Sequence, residues 1–262
     1  GLDIRIGAGE VVCLLGPNGV GKTTLVENLL GSLAPTNGRV RVFGTDPRQA
    51  GAGFWAKVGL VQQSWTDHAK WRVKDQLEWI RSVQLTAAER VSTVAEVLDA
   101  VGLSDKADSR LSRLSGGQRR TIDFAAALLA SPELLILDEP TTGLDPVSKA
   151  RLHDLILARV DEDATIVMTT HDLSEAERLA SRVLIMNEGR IIADGTVTAL
   201  RELLDRGSEI TWIEDGARHV HTTHSPERFV RGLDLDAITG LTITRPTLEE
   251  TYLSLVNKEP RP

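Results

Sequence analysis

The stretch that decides the fold lies near the start of the sequence and reads Val11-Val12-Cys13-Leu14-Leu15-Gly16-Pro17-Asn18-Gly19-Val20-Gly21-Lys22-Thr23-Thr24. Its first five residues form a continuous apolar run, which is the pattern of a strand buried on both faces. A glycine-rich turn follows, and Leu25 and Leu29 then share one face of a helix that ends near Gly31. The stretch therefore predicts a strand, a tight turn and a helix in direct succession.

The glycine-rich turn has the spacing of a P-loop, in which two glycines separated by four residues precede Lys and Ser or Thr. Glycines let consecutive N–H groups turn toward a phosphate, and the following helix adds the positive end of its dipole. Lys22 can reach the β- and γ-phosphates, and the Thr23 hydroxyl can ligate Mg²⁺. We predict that nucleotide phosphates bind to Gly16, Pro17, Asn18, Gly19, Val20, Gly21, Lys22, Thr23 and Thr24.

A second apolar run, Leu134–Leu137, ends in two acids, Asp138 and Glu139. Ligands of open α/β sheets bind at the carboxyl ends of the strands, so a buried strand here would bring both carboxylates to that edge. We predict that Asp138 holds Mg²⁺ through water and that Glu139 is the general base for the attacking water. An exposed acidic pair is the alternative for this pattern alone, but the P-loop in the same chain favours catalysis.

A third motif, Leu114-Ser115-Gly116-Gly117-Gln118, precedes that strand by about one helix. Ser115 and Gln118 predict a capping box at the start of a helix, and a helix N-terminus with two glycines can bind an anion. The motif resembles the signature of ABC (ATP-binding cassette) ATPases. The resemblance implies that Ser115 and Gly117, together with Gln118, complete the ATP site of a second cassette and not their own.

Three further motifs resemble those of ABC ATPases and stand in that family's order. Val58–Gln63 resembles the Q-loop, with Gln63 as the Mg²⁺ ligand and Gln62 where proline is common. Asp145 ends a D-loop at the cassette interface, and His171 of the H-loop is implied to contact the γ-phosphate and the attacking water. The implied catalytic residues are Lys22, Glu139 and His171, and the implied Mg²⁺ ligands are Thr23, Gln63 and Asp138.

The alternation of strands and helices predicts an α/β fold with a mostly parallel sheet, the P-loop NTPase core of ABC ATPases. We expect a cassette over residues 1–204, with a helical subdomain at about 65–130, and a small C-terminal α+β domain over 205–262. Thr86–Glu89 predicts a capping box that opens a helix. Predicted strands are Arg39–Phe43, Leu134–Leu137, Thr165–Met168, Val183–Met186, Glu209–Ile213, His219–Thr223 and Leu241–Thr244, and Leu248–Val256 predicts a closing helix.

The composition limits the classes of function. A net charge of −7 argues against a nucleic-acid partner, and the single cysteine, Cys13, cannot form an internal disulfide. The longest apolar runs are much shorter than the ~20 residues that span a bilayer. We therefore expect any membrane role to depend on a partner. The resemblance to ABC ATPases implies that this partner is a permease, which would hold the chain at the cytoplasmic face of the membrane.

The resemblance implies an ATPase that binds ATP and Mg²⁺, pairs with a second cassette in a homodimeric ATP sandwich and drives a membrane permease. Trp65, Trp71 and Trp79 follow the Q-loop, where they either anchor a coupling helix of the permease or pack in the core of the helical lobe. Arg245–Leu253 resembles the ending of ABC-2-type exporters of drugs, antibiotics or lipid-like compounds. An importer ATPase and a soluble, non-transport ABC ATPase are the alternatives.

The start of the sequence departs from the family in one respect. ABC ATPases stack adenine on an aromatic residue upstream of the P-loop, and no residue before Lys22 is aromatic. The sequence also begins with Gly1 instead of Met. We expect that the natural chain begins before Gly1.

Overall fold

The computed structural model describes residues 1–64, 67–88, 90–160, 164–202, 207–244 and 247–256. The chain divides into two compact units, Gly1–Ile191 and Ile192–Pro262. This division falls earlier than the boundary after residue 204 that the sequence suggests, so the domain limits and the helical subdomain remain predictions. The elements, in chain order, are β1 (Val11–Leu15), α1 (Lys22–Leu29), α2 (Ala52–Trp55), β2 (Val58–Val61), α3 (Val73–Gln84), α4 (Val94–Ala100), α5 (Gly116–Leu128), β3 (Leu134–Asp138), α6 (Pro146–Val160), β4 (Thr165–Thr170), α7 (Leu173–Leu179), β5 (Arg182–Asn187), β6 (Arg190–Gly195), α8 (Val197–Glu202), β7 (Ser208–Glu214), β8 (Ala217–Thr223), α9 (Pro226–Val230), β9 (Ile238–Thr244) and α10 (Leu248–Val256).

The first unit is built around a mostly parallel sheet, in which its strands have the order β2-β3-β4-β1-β5. Every residue of β1 and β3 is buried, as the continuous apolar runs predict. Pairing of β1 with β4 and β5, and of β3 with β2 and β4, is parallel. The carboxyl ends of these strands therefore meet at one edge of the sheet, and the predicted strands at 134–137, 165–168 and 183–186 are confirmed.

The predicted strand Arg39–Phe43 is wrong. Val42 and Thr45 form only an isolated bridge, with two backbone hydrogen bonds of 2.9 Å between them. Phe43 and Gly44 between these residues both have positive φ, at 50° and 76°. The chain therefore reverses within two residues, which the alternating pattern of the sequence does not reveal.

The predicted helix start at Thr86 is also wrong. The Thr86 hydroxyl donates to the carbonyl oxygen of Val83 at 2.7 Å, in the turn that ends α3. A different capping box, formed by Thr93 and Glu96, opens the next helix, α4. Glu89, the other half of the predicted box, lies outside the described residues. The cap at Thr93 directly precedes the buried residues of α4, so tertiary packing selects it.

The second unit contains a three-stranded antiparallel sheet with the order β8-β7-β9. Ile210, Trp212 and Ile238 form its small buried core, against which Phe229 of α9 packs. The strands and closing helix predicted for this region are confirmed. Arg245 and Pro246, which begin the exporter-like segment, lie outside the described residues.

None of the helices in the described part of the chain combines the length and the apolar character that a bilayer span requires.

Candidate functional site

The P-loop turns between the end of β1 and the start of α1. A Cβ atom on Gly16 would lie only 2.7 Å from the carbonyl oxygen of Met186, so this position requires glycine. Gly21 has a φ of 110° and caps α1 without a side-chain hydrogen bond, so the first N–H groups of the helix are left for another acceptor. The buried Lys22 ammonium donates to the carbonyl oxygens of Gly16 at 2.7 Å and Pro17 at 3.2 Å.

Glu139 follows β3 in a left-handed conformation with a φ of 45°, which is uncommon for a non-glycine residue. Its N–H group donates to the Thr169 hydroxyl at 2.9 Å and to the Thr169 carbonyl oxygen at 3.2 Å. Only 7% of Glu139 is exposed. Neighbouring β4 thus holds the backbone of Glu139 in a strained geometry that aims its carboxylate back over the sheet edge.

The Glu139 carboxylate is the point at which four predicted motifs meet. Its Oε1 lies 3.5 Å from the Lys22 ammonium, and its Oε2 accepts from the Gln63 amide at 3.3 Å. The His171 Nδ1 lies 3.4 Å from the same Oε2. The Thr142 hydroxyl, which the sequence did not single out, donates to Oε2 at 3.0 Å. The structure therefore brings together Lys22, Gln63, Glu139 and His171.

Thr169 is a second contributor that sequence reasoning missed. Its hydroxyl donates to Asp138 Oδ1 at 2.5 Å and accepts from the Glu139 N–H group, and the residue is fully buried. Asp138 and Thr169 are register partners in the parallel pair β3–β4. The place of Thr169 two residues before His171 in the H-loop motif was a signal in the sequence, but its contacts with Asp138 and Glu139 depend on the register of β3 and β4.

The predicted Mg²⁺ ligands suit the ion by their chemistry. Thr23, Gln63 and Asp138 offer a hydroxyl, an amide and a carboxylate, and Mg²⁺ prefers oxygen ligands of this kind. Asp138 is buried beside Glu139, whereas Thr23 and Gln63 are exposed. These residues fit a magnesium nucleotide whose phosphates rest on the P-loop.

The signature and the D-loop form a second group of contacts. The predicted capping box is confirmed: Ser115 Oγ accepts from the Gln118 N–H group at 3.2 Å, and Gln118 Oε1 accepts from the Ser115 N–H group at 3.1 Å. Asp145 caps α6 by accepting from the Ser148 N–H group at 3.0 Å and its hydroxyl at 2.6 Å. These bonds hold the pKa of Asp145 below its usual range. A Cβ on Gly117 would lie 2.0 Å from the Ser148 hydroxyl, so the two loops are packed in contact.

Arg120, on the signature helix α5, holds the Q-loop by its backbone. The buried guanidinium donates to the carbonyl oxygens of Gln62 at 2.5 Å and Gln63 at 2.7 Å. Burial lowers the pKa of Arg120, and burial also raises the pKa of Asp123, whose carboxylate lies 3.5 Å from Arg120, to about 7. This contact could not be predicted from the sequence, because a basic residue on a helix is usually solvated.

Comparison with known proteins identifies the family of this chain. The family described as ABC transporter matches residues 1–142. The chain belongs to the ABC transporter family. This match spans the P-loop, the Q-loop, the signature and the acidic pair, so the family resemblance stated from the motifs is confirmed.

Two relatives and one solved structure illustrate the match to ABC proteins. The chain is 36% identical to the daunorubicin/doxorubicin resistance ATP-binding protein DrrA of Streptomyces peucetius, over its whole length and 76% of the relative. It is 41% identical to the Nod factor export ATP-binding protein I of Paraburkholderia xenovorans, over 76% of this chain and 66% of the relative. A solved ATP-binding subunit of an ABC transporter has the same fold, with a TM-score of 0.70, 21% identity and coverage of 96% of this chain and 90% of the other. The α/β fold with a P-loop NTPase core is confirmed.

Proposed function

We propose that this chain is the ATP-hydrolysing subunit that powers an ABC exporter of drugs, antibiotics or lipid-like compounds. Membership of the ABC transporter family supports ATP binding and hydrolysis. The exporter assignment is supported by relatives named for daunorubicin resistance and Nod factor export. These names favour export over the importer and non-transport alternatives.

The convergence on the Glu139 carboxylate is the observation that carries the catalytic proposal. Glu139 accepts a proton from the attacking water, and His171, 3.4 Å from that carboxylate, holds the water and the γ-phosphate. Lys22 leaves its loop carbonyls to neutralise the phosphates. Thr23, Gln63 and Asp138 would hold Mg²⁺, which offsets the charge that develops on the β- and γ-phosphate oxygens.

The contact between the signature and the helix after the D-loop supports a two-cassette arrangement. Ser115, Gly117 and Gln118 lie at the start of α5, and the N-terminus of a helix can donate hydrogen bonds to a γ-phosphate. Asp145 accepts from Ser148, which lies against Gly117. In a two-fold dimer, the signature of each chain would complete the nucleotide site of the other, so the same patches are used twice. A second copy of this chain is the partner that we propose.

The surface beyond the Q-loop is the proposed contact with a membrane permease. Trp71 is 37% exposed and Trp79 is 50% exposed, which favours a contact surface over packing in the core of the helical lobe. His68 stacks on Trp71 with ring centroids 4.2 Å apart. A cavity of about 410 Å³ lies between β2, α3 and α5. Trp65, the third predicted anchor, lies outside the described residues. Such aromatic side chains suit a coupling helix, which would hold the chain at the cytoplasmic face of the membrane.

Glu139→Gln tests the catalytic proposal, with Glu133→Gln as its matched control. Glu133 directly precedes β3, whereas Glu139 directly follows it. The Glu133 carboxylate pairs with Lys57, and both side chains are exposed. We expect Glu139→Gln to lower kcat by about 100-fold or more and to accumulate as an ATP-stabilised dimer, because loss of a general base commonly costs 10²–10⁴. Glu133→Gln should turn over like the unmutated chain. Equal turnover of the two variants would refute the assignment of Glu139.

Copurification tests the transport proposal separately. The full chain should recover an integral membrane permease from membranes, and Trp79→Ala should weaken that recovery without changing ATPase activity in solution. Recovery of ribosomes or DNA in place of a permease would refute the exporter assignment.

A further inference from the structure

Two ion pairs and one histidine–carboxylate pair join α6, which follows the D-loop, to α7 and its cap, which follow the H-loop. Lys149 pairs with Asp172 at the loop end of the two helices. His153 and Glu175 form a buried pair at 3.2 Å in the middle. Asp154 and Arg178 form an exposed pair at 2.7 Å on the same two helices. Only the first of these pairs reaches a residue adjacent to the predicted catalytic histidine.

On the α6 side, Ser148, the residue before Lys149, packs against the signature turn. Ser148 lies against Gly117, where a Cβ would stand 2.4 Å from the Ser148 Cβ. Ser148 also binds Asp145 through both its hydroxyl and its N–H group. A movement of the signature turn must therefore move the first turn of α6, because close-packed groups cannot absorb the displacement.

On the α7 side, Asp172 is both the partner of Lys149 and the cap of the helix after His171. Its Oδ1 accepts from the Ser174 N–H group at 2.9 Å, and its own N–H group donates to the Thr170 hydroxyl at 3.0 Å. Although burial raises the pKa of Asp172, hydrogen bonds from Lys149 and Ser174 lower it to about 2. The carboxylate is therefore ionised at neutral pH and keeps the ion pair.

We propose that Lys149 is a positioning residue that ties the placement of His171 over Glu139 to the signature turn of the same chain. The inference rests on the proposed roles of His171 and Glu139. When the signature turn engages the nucleotide of a second cassette, α6 carries Lys149 with it, and Lys149 draws Asp172 and the adjacent His171 into place. One chain thereby links the nucleotide site that it completes for its partner to its own general base.

The test replaces Lys149 and compares it with a pair that lies on the same helices but away from the H-loop. Lys149→Met removes the charge, Lys149→Arg keeps it, and Asp154→Asn breaks the exposed pair as the matched control. Lys149 is partly exposed, with 29% of its side chain accessible, so its removal should leave the fold intact. ATPase turnover, KM for ATP, ATP-binding stoichiometry and the thermal unfolding midpoint are measured for each variant.

We expect Lys149→Met to lower kcat by about tenfold, since displacement of a reacting group by about 1 Å can cost up to about 100-fold. KM and binding stoichiometry should match those of Asp154→Asn, because the P-loop is untouched. The unfolding midpoint should also match, because each variant breaks one ion pair between the same two parts of the fold. Lys149→Arg should retain most of the turnover. In the Asp172→Asn chain, which keeps an oxygen for the cap, Lys149→Met should cause no further loss.

His171→Ala and Glu139→Gln separate failure of this inference from failure of the proposed function. If both lose turnover while Lys149→Met behaves like Asp154→Asn, the positioning role is refuted and the catalytic assignment stands. If Lys149→Met lowers kcat equally with and without Asp172, it acts through another route and the inference is also refuted. Full turnover in His171→Ala and Glu139→Gln would overturn both proposals.

Discussion

Thr169→Val tests whether the hydroxyl between the two acids holds the site together. The substitution keeps the branched shape of the side chain but removes a hydroxyl that is fully buried. That hydroxyl donates to the Asp138 carboxylate at 2.5 Å and accepts from the Glu139 N–H group at 2.9 Å. Valine leaves both groups without this partner at a site that water cannot easily reach.

The size of the effect follows from these two bonds. A hydrogen bond to a charged group contributes about 1.5–3 kcal/mol. The Glu139 N–H group keeps its longer bond of 3.2 Å to the Thr169 carbonyl oxygen. Loss of its other bond, to the Thr169 hydroxyl, therefore costs only about 0.5–1 kcal/mol. We therefore expect Thr169→Val to lower the free energy of unfolding by about 2–4 kcal/mol, and to lower turnover because the Glu139 carboxylate is no longer aimed at the site.

Urea unfolding followed by circular dichroism measures the stability, with ATPase turnover measured in parallel. Thr169→Ser keeps the hydroxyl and should lose only about 1 kcal/mol, the contribution of one methyl group. Thr165→Val is the matched control on the same strand, because its hydroxyl accepts from the exposed Gly9 N–H group at 3.0 Å and not from a residue of the site. If Thr169→Val is no less stable than Thr165→Val, the bridging role of the hydroxyl is wrong.

Three further substitutions follow from contacts described above. Gly117→Ala should lower turnover, because its Cβ would lie 2.4 Å from the Ser148 Cβ, and Ser148→Gly in the same chain should restore activity; failure of that rescue would contradict the close contact. Arg120→Gln should raise the Mg²⁺ concentration needed for half-maximal ATPase activity, because the Gln63 backbone loses a donor at 2.7 Å, and an unchanged Mg²⁺ dependence would argue against the clamp. Asp123→Asn should flatten the pH dependence of stability between pH 5 and pH 8. Burial raises the pKa of Asp123 to about 7, so the native state holds a proton that the unfolded chain releases above about pH 4, and the free energy of unfolding falls as the pH rises from about 4 to 7. Urea unfolding at the two pH values checks this, and equal slopes in the unmutated and Asp123→Asn chains would contradict it.

Local sequence patterns failed where two local solutions competed. Arg39–Phe43 alternates like a strand, but the positive φ at Phe43 reverses the chain. Positive φ is uncommon in a non-glycine residue, so the sequence does not predict it at this position. Thr86 and Thr93 each precede a glutamate by three residues, but only Thr86 was predicted as a helix cap. The packing of the residues that follow Thr93 decided between them.

The sequence by itself determined the elements that depend on interactions between residues close together in the chain. Continuous apolar runs specified β1 and β3, glycines at fixed spacing specified the P-loop, and Ser115 with Gln118 specified the start of α5. The order of the motifs then indicated the family. These features were predictable because burial on both faces, positive φ and capping each depend on residues within a few positions of one another.

Only the tertiary structure decided how the motifs are grouped. The parallel register of β3 and β4 sets Thr169 beside Asp138, and the packing of α5 sets Arg120 against the Q-loop carbonyls. The contact of Gly117 with Ser148 brings the signature against the first turn of the helix that follows the D-loop. Each of these contacts joins residues more than thirty positions apart, as with Asp138 and Thr169 at a separation of 31. Such contacts depend on the relative placement of strands and helices, which no local pattern encodes.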